Sequence, residues 1–119
     1  MIMEDLRKAT RVPFSAPIEQ ILIYDSGSPK LGNTAVFNAR TLDISLSGIS
    51  FETKTKIDPA SMVYFIFSVP TVEGNRRIGC DGYVAFSKSK GTNCIAGIHF
   101  VDITQEDSEV INTFIESHR

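Results

Sequence analysis

Two short stretches of this chain carry residues that could do chemistry: Arg7-Lys8-Ala9-Thr10-Arg11 and Asp43-Ile44-Ser45-Leu46-Ser47-Gly48. An arginine guanidinium is a planar fork of donors that meets two neighbouring acceptors at once, and its plane stacks on a flat base. Guanine offers such a pair of acceptors in N7 and O6. Its other edge carries N1 and N2 protons, which call for an acceptor such as the Asp43 carboxylate. Arg7 and Arg11 could serve two guanines, or one guanine and a phosphate. Ser45 can donate to a phosphate oxygen or hold the local turn. Gly48 removes a Cβ where a ligand would approach. Each stretch also has a plain reading: a strand ending in an Asp/Ser/Gly turn, and two solvated charges on a frayed helical turn.

Three further residues are secondary candidates. Lys8 lies between the arginines, but a flexible point charge contributes mainly screened Coulomb attraction. Ser47 shares the polar parity of Asp43 and Ser45. Arg76 opens a strand, beside Arg77, where capping the surface competes with reaching a ligand. Arg40 has the opposite parity to Asp43 and faces away from it in an unbulged strand.

The elements that must position these groups are mostly strands. Residues 1–13 read as a flexible polar arm, with a short helical turn allowed by Glu4 and Lys8 at i, i+4 and stopped by Pro13 and Pro17. Period-two alternation then predicts strands over 18–24, 34–45, 48–53, 62–69, 78–86 and 94–102. Between them lie turn-rich segments at 25–33, 54–61, 70–75 and 87–93. In the second strand Leu42, Ile44 and Leu46 share one face, and Asp43, Ser45 and Ser47 share the other. In the fifth, Cys80, Gly82, Val84 and Phe86 are expected to point inward together, whereas His99 on the sixth points outward. The last element, 104–118, is a helix: Thr104 and Asp107 suit a capping box, and Val110, Ile111, Phe114 and Ile115 form one apolar stripe. The expected fold is mainly β, a six-stranded antiparallel barrel over 18–102 lidded by the C-terminal helix.

Composition narrows the function. The 119 residues suffice for one domain, and no apolar run reaches the ~20 residues of a membrane span. The acidic start, Met1-Ile2-Met3-Glu4-Asp5, lacks a signal peptide's h-region, so a cytoplasmic protein is expected. A net charge of −2 argues against general binding to a nucleic-acid backbone. Cys80 and Cys94 fall out of register for a bridge across their hairpin and are read as buried free thiols. His99 and His118 stand too far from the cysteines for a metal-ligand pattern. No nucleophile–base pair and no phosphate-binding Gly-Lys-Ser/Thr motif is found, so neither an enzyme nor a cofactor is expected.

In their order and spacing the two stretches resemble the signature of the PilZ family, bacterial receptor domains for cyclic di-GMP: Arg-x-x-x-Arg, then Asp or Asn-x-Ser-x-x-Gly. Gly82-Tyr83-Val84 is similar to that family's penultimate strand, and Ala96-Gly97-Ile98-His99-Phe100 with the following helix to its end. The likeness spans nearly the whole chain. It implies a split-barrel fold and a non-enzymatic receptor that binds cyclic di-GMP through Arg7, Arg11, Asp43, Ser45 and Gly48. The arm would fold over the barrel end, and the changed surface would be read by an unidentified partner protein. Leu6, in place of a third cation, implies one ligand per chain. The alternative is a PilZ-like interaction module that binds no nucleotide and serves pilus or motility assembly. A barrel for single-stranded nucleic acid would need aromatic platforms and a basic groove, which this sequence does not offer.

Overall fold

The structure is a computed structural model that describes residues 10–24, 34–36 and 38–119. Leu6, Arg7, Lys8, the helical turn expected near them and the loop 25–33 lie outside the described residues. Among the described residues there are eight strands: β1 (Val12–Pro13), β2 (Gln20–Tyr24), β3 (Thr34–Val36), β4 (Arg40–Ile44), β5 (Gly48–Thr53), β6 (Met62–Thr71), β7 (Gly74–Lys90) and β8 (Asn93–Asp102). One helix, α1 (Gln105–His118), follows. The strands form a single sheet in the order β1-β4-β5-β8-β7-β6-β2-β3, antiparallel throughout.

The mainly β class and the terminal helix match the sequence reading, but the count is eight rather than six, and β1 and β3 remain as edges. Two short strands make the difference. The end of the expected arm is itself a strand, with Val12 opposite Ile44 and Pro13 opposite Asp43. Proline is tolerated there because an edge strand needs no inner donor. The expected strand 34–45 is broken in two, and Asn38 at φ 61° interrupts it with a left-handed backbone that asparagine tolerates. The later turns are tighter than expected: β6 and β7 pair through Thr71 and Gly74, and β7 and β8 through Lys90 and Asn93.

The core follows from alternation. On β6, Val63, Phe65, Phe67 and Val69 are fully buried, while Met62, Tyr64, Ile66 and Ser68 are half-buried on the other face. Helix α1 closes the core with Ile111, Phe114 and Ile115, and packs on β6 and β1. Its N-cap Thr104 accepts a hydrogen bond from the Asp107 amide at 3.1 Å, satisfying one otherwise unpaired helix donor. Phe14, just after β1, sits edge-on to Phe114 at 5.1 Å and to Phe67 at 6.1 Å. Cys80 and Cys94 are both buried and free.

Three register shifts interrupt the ladders, one of them between Asp81 and Gly82, and the other two reset the parity read from the sequence. One lies between Thr41 and Asp43, where Arg40 opposes Glu52 and Asp43 opposes Ser50. Leu42 is the extra residue, so Arg40 and Asp43 share a face after all, and Thr41 turns into the core at 1% exposure. The other lies between Val84 and Phe86. It turns Phe86 outward, 45% exposed, where an unbroken strand would have buried it.

Candidate ligand-binding site

The β4–β5 hairpin builds the centre of the site. Ser45 and Gly48 close it, with the Ser45 amide donating to the Gly48 carbonyl at 2.8 Å. Leu46 and Ser47 form the loop, and neither takes a positive φ, which excludes the mirror-image turns usual in two-residue hairpins. The Ser45 side chain supplies the missing order: its Oγ accepts from the amides of Ser47 and Gly48, each at 3.2 Å. Ser45 is fully buried, so of its two expected roles the structure displays the turn-holding one. Period two had placed Ser45 outward. Instead the exposed hydroxyl at the turn is that of Ser47, 3.1 Å from Ser45 Oγ.

Gly48 is required by a neighbour in the fold. A Cβ built on it would stand 2.1 Å from the Ile98 carbonyl oxygen and 3.1 Å from its carbon. Here β5 and β8 run side by side, with Gly48 opposite His99 and the Phe100 amide donating to the Ser47 carbonyl at 3.0 Å. Beside the expected room for a ligand stands a nearer cause within the fold: glycine makes room for β8.

Asp43 is where distant parts of the chain meet. Its Oδ1 accepts from Arg11 Nη1 at 2.6 Å and from Ser50 Oγ at 2.8 Å. Among the described residues nothing donates to Oδ2. The Arg11 and Asp43 side chains are 40% and 35% exposed, so solvent and solutes reach the pair. Ser50 was not singled out from the sequence. The signal was available by counting: a two-residue loop between Ser45 and Gly48 puts Ile44 opposite Ile49 and Asp43 opposite Ser50.

The backbone that delivers Arg11 is held from below. Thr41 Oγ1 accepts from the Ala16 amide at 2.8 Å and donates to the Phe14 carbonyl at 2.5 Å. Phe14 and Thr41 also bond back through their amides, to the carbonyls of Leu42 and Ala16. Arg76 takes part elsewhere: it donates to Asp107 Oδ1 through Nη2 at 2.8 Å and Nε at 3.2 Å, with Glu106 at 3.5 Å. It ties β7 to the start of α1, and the hydrogen bond to Asp107 raises its pKa. Arg77 pairs with Glu19 at 2.9 Å. Of the expected ligand residues, then, the structure gathers Arg11, Asp43, Ser45, Ser47 and Gly48 around one hairpin. Arg76 is engaged at the helix, and Arg7 and Lys8 fall outside the described residues. Among the described residues no cluster of histidine, cysteine and carboxylate groups could hold a metal ion, and no helix is long and apolar enough to cross a membrane.

A PilZ domain profile matches residues 5–117. No curated protein matches the sequence. Among solved structures, the Bacillus subtilis inhibitor of motility (MotI/DgrA) superposes with a TM-score of 0.66 at 13% identity, over 91% of this chain and 49% of that one. The chain therefore spans about half the length of that protein. The PilZ domain of CeSA from a cellulose-synthesizing bacterium superposes with a TM-score of 0.52 at 16% identity, covering 90% of this chain and 96% of that one. At such identities the superpositions speak for the fold alone. The profile, which takes in both the arm and the terminal helix, establishes that this chain belongs to the PilZ domain family.

Proposed function

We propose that this domain is a cyclic di-GMP receptor that converts capture of the messenger into a change of surface read by a partner protein. PilZ domains are a family of such receptors, binding modules rather than enzymes. The observation that carries the reading here is the meeting of Arg11 with Asp43, 32 residues apart in sequence and 2.6 Å apart in space.

Energetics favour exchange of that ion pair for a ligand. An exposed pair of this kind contributes about 0–1 kcal/mol, whereas a bidentate arginine–guanine contact discriminates by about 1–3 kcal/mol. On binding, Arg11 leaves Asp43 for the N7/O6 edge of one guanine. Asp43 turns both oxygens to N1–H and N2–H, with Ser50 still holding Oδ1. Arg7 serves the second guanine or a phosphate, and Gly48 and Ser45 keep the hairpin in shape for this. The two buried free cysteines support a reducing, cytoplasmic setting.

Isothermal titration of the protein with cyclic di-GMP tests the reading, with cyclic di-AMP as control. Wild type should bind the guanine compound in preference, and Arg11→Ala or Asp43→Ala should weaken it by roughly five- to 150-fold. Absence of heat at on the order of tens of micromolar protein would overturn it and favour an interaction module without nucleotide.

A further inference from the structure

Most described arginines and lysines are paired with a carboxylate: Arg11, Arg76, Arg77, Lys90 and Arg119 each have one within 4 Å. Lys54, Lys56 and Lys88 have none among the described residues, and all three line one cleft of about 420 Å³ beside the β7–β8 hairpin. A second cleft of about 260 Å³ adjoins it through Lys54 and Asn93, and adds Arg40, which has no described carboxylate partner. Against these four cations the lining sets two acids, Asp58 and Glu52. Glu52 is already engaged, by Lys90 at 3.7 Å and Asn93 at 2.7 Å. Among the described residues, a chain of net charge −2 thus gathers the cations that lack a carboxylate partner in one trough.

We infer that this trough docks an acidic segment of a partner protein, one whose aspartates and glutamates reach into it. Its chemistry disfavours other polyanions. No aromatic side chain lines either cleft, so a nucleic acid finds no stacking platform. Of the exposed large apolar residues (Leu46, Val72, Tyr83, Phe86, Val101) none lines either cleft, and only Phe86 adjoins a lining residue, Ser87, so an anionic bilayer finds little to bury, and its flat surface cannot enter a concave site. Lysines suit carboxylates carried on a flexible chain, because they act as mobile point charges. The inference stands apart from messenger binding at Asp43.

Fluorescence anisotropy with a short labelled peptide of alternating glutamate and serine tests it, at about physiological salt where only charges within ~8 Å act strongly. The triple variant K54Q/K56Q/K88Q should bind roughly tenfold or more weakly. A control with the same change in net charge made elsewhere, Gln20→Glu with Asn75→Glu and Asn112→Glu, should stay within about twofold. Single variants K54Q and K88Q, each about threefold weaker, carry the test if the triple variant loses its fold. Equal losses in triple variant and control would overturn the inference. So would tighter binding of polyphosphate, single-stranded DNA or phosphatidylglycerol vesicles than of the peptide. Displacement of the peptide by cyclic di-GMP would instead assign the trough to the nucleotide site; if cyclic di-GMP fails to bind at all but the peptide result holds, only the receptor reading falls.

Discussion

Replacing Gly48 by alanine separates two explanations for that glycine. If its only purpose were to admit a ligand, Gly48→Ala would leave the free protein as stable as before, or slightly more so. Alanine at a backbone conformation it can adopt stabilises by about 0.4–1 kcal/mol through the unfolded chain, and Gly48 does not have a positive φ. The structure predicts the opposite. The new methyl would stand 2.1 Å from the Ile98 oxygen, about 1 Å inside ordinary contact, and that oxygen belongs to a backbone held in the sheet. Relief requires β5 and β8 to separate, which strains the Phe100 amide bond to Ser47. Overpacking of this kind costs about 1–3 kcal/mol, which for a chain of this length is a fall in Tm of roughly 5–15 °C. Thermal unfolding followed by circular dichroism measures it. Gly91→Ala is the useful comparison: its φ is +61° and nothing lies within 4 Å, so it should lose only the ~1 kcal/mol of a left-handed alanine. An unchanged Tm for Gly48→Ala, with cyclic di-GMP binding lost, would refute the packing argument and return the residue to the ligand.

Thr41→Val keeps the shape but strands the half-buried Ala16 amide, and should cost about 1–3 kcal/mol in urea unfolding. Phe14→Ala removes the ring between Phe67 and Phe114 and should cost about 3–5 kcal/mol while also loosening Arg11 from Asp43, which a drop in cyclic di-GMP affinity beyond that of a distant core variant such as Ile57→Ala would reveal. Arg76→Ala leaves the Asp107 carboxylate without its fork and should lower Tm, more at low salt than at high, with ligand affinity unchanged. Burial, and then the carboxylates of Asp81, Asp107 and Asp102, push the Cys80 thiol up from 9.0 to about 12. Its stabilising contribution is therefore present below about pH 9 and lost as pH rises from there to about 12, because the unfolded thiol ionises first. Wild type should lose more stability than Cys80→Ala across that window, and neither cysteine should react with iodoacetamide at about pH 8 until the protein unfolds.

Periodicity made the regular parts of this chain legible. The α1 stripe Ile111, Phe114 and Ile115 and the β6 alternation from Val63 to Val69 are buried as their spacing requires. It failed where one residue was added without any mark of its own. A bulge leaves composition untouched and inverts every side chain beyond it, which is why Phe86 is exposed and why Arg40 shares a face with Asp43. The Ser45–Ser47 inversion has a similar origin: both are serines in an Asp/Ser/Gly run, and only the hydrogen bonds of the turn determine which hydroxyl is buried.

The meeting of Arg11 and Asp43 was legible as a motif but not as geometry, and the reason lies in residues that carry no chemistry. β1 has two residues, too few to fix a register by its own ladder. Its position is imposed from the C-terminal side, where Phe14 is buried against Phe67 and Phe114 and Thr41 holds the carbonyl of Phe14 and the amide of Ala16. Once Phe14 is anchored, Pro13 must lie opposite Asp43, and Arg11, two residues before it, falls on the same face as Pro13. The arginine is thus delivered by a core phenylalanine three residues away while its own exposed ion pair contributes little. That division leaves the guanidinium free to change partners without unfolding the strand that carries it.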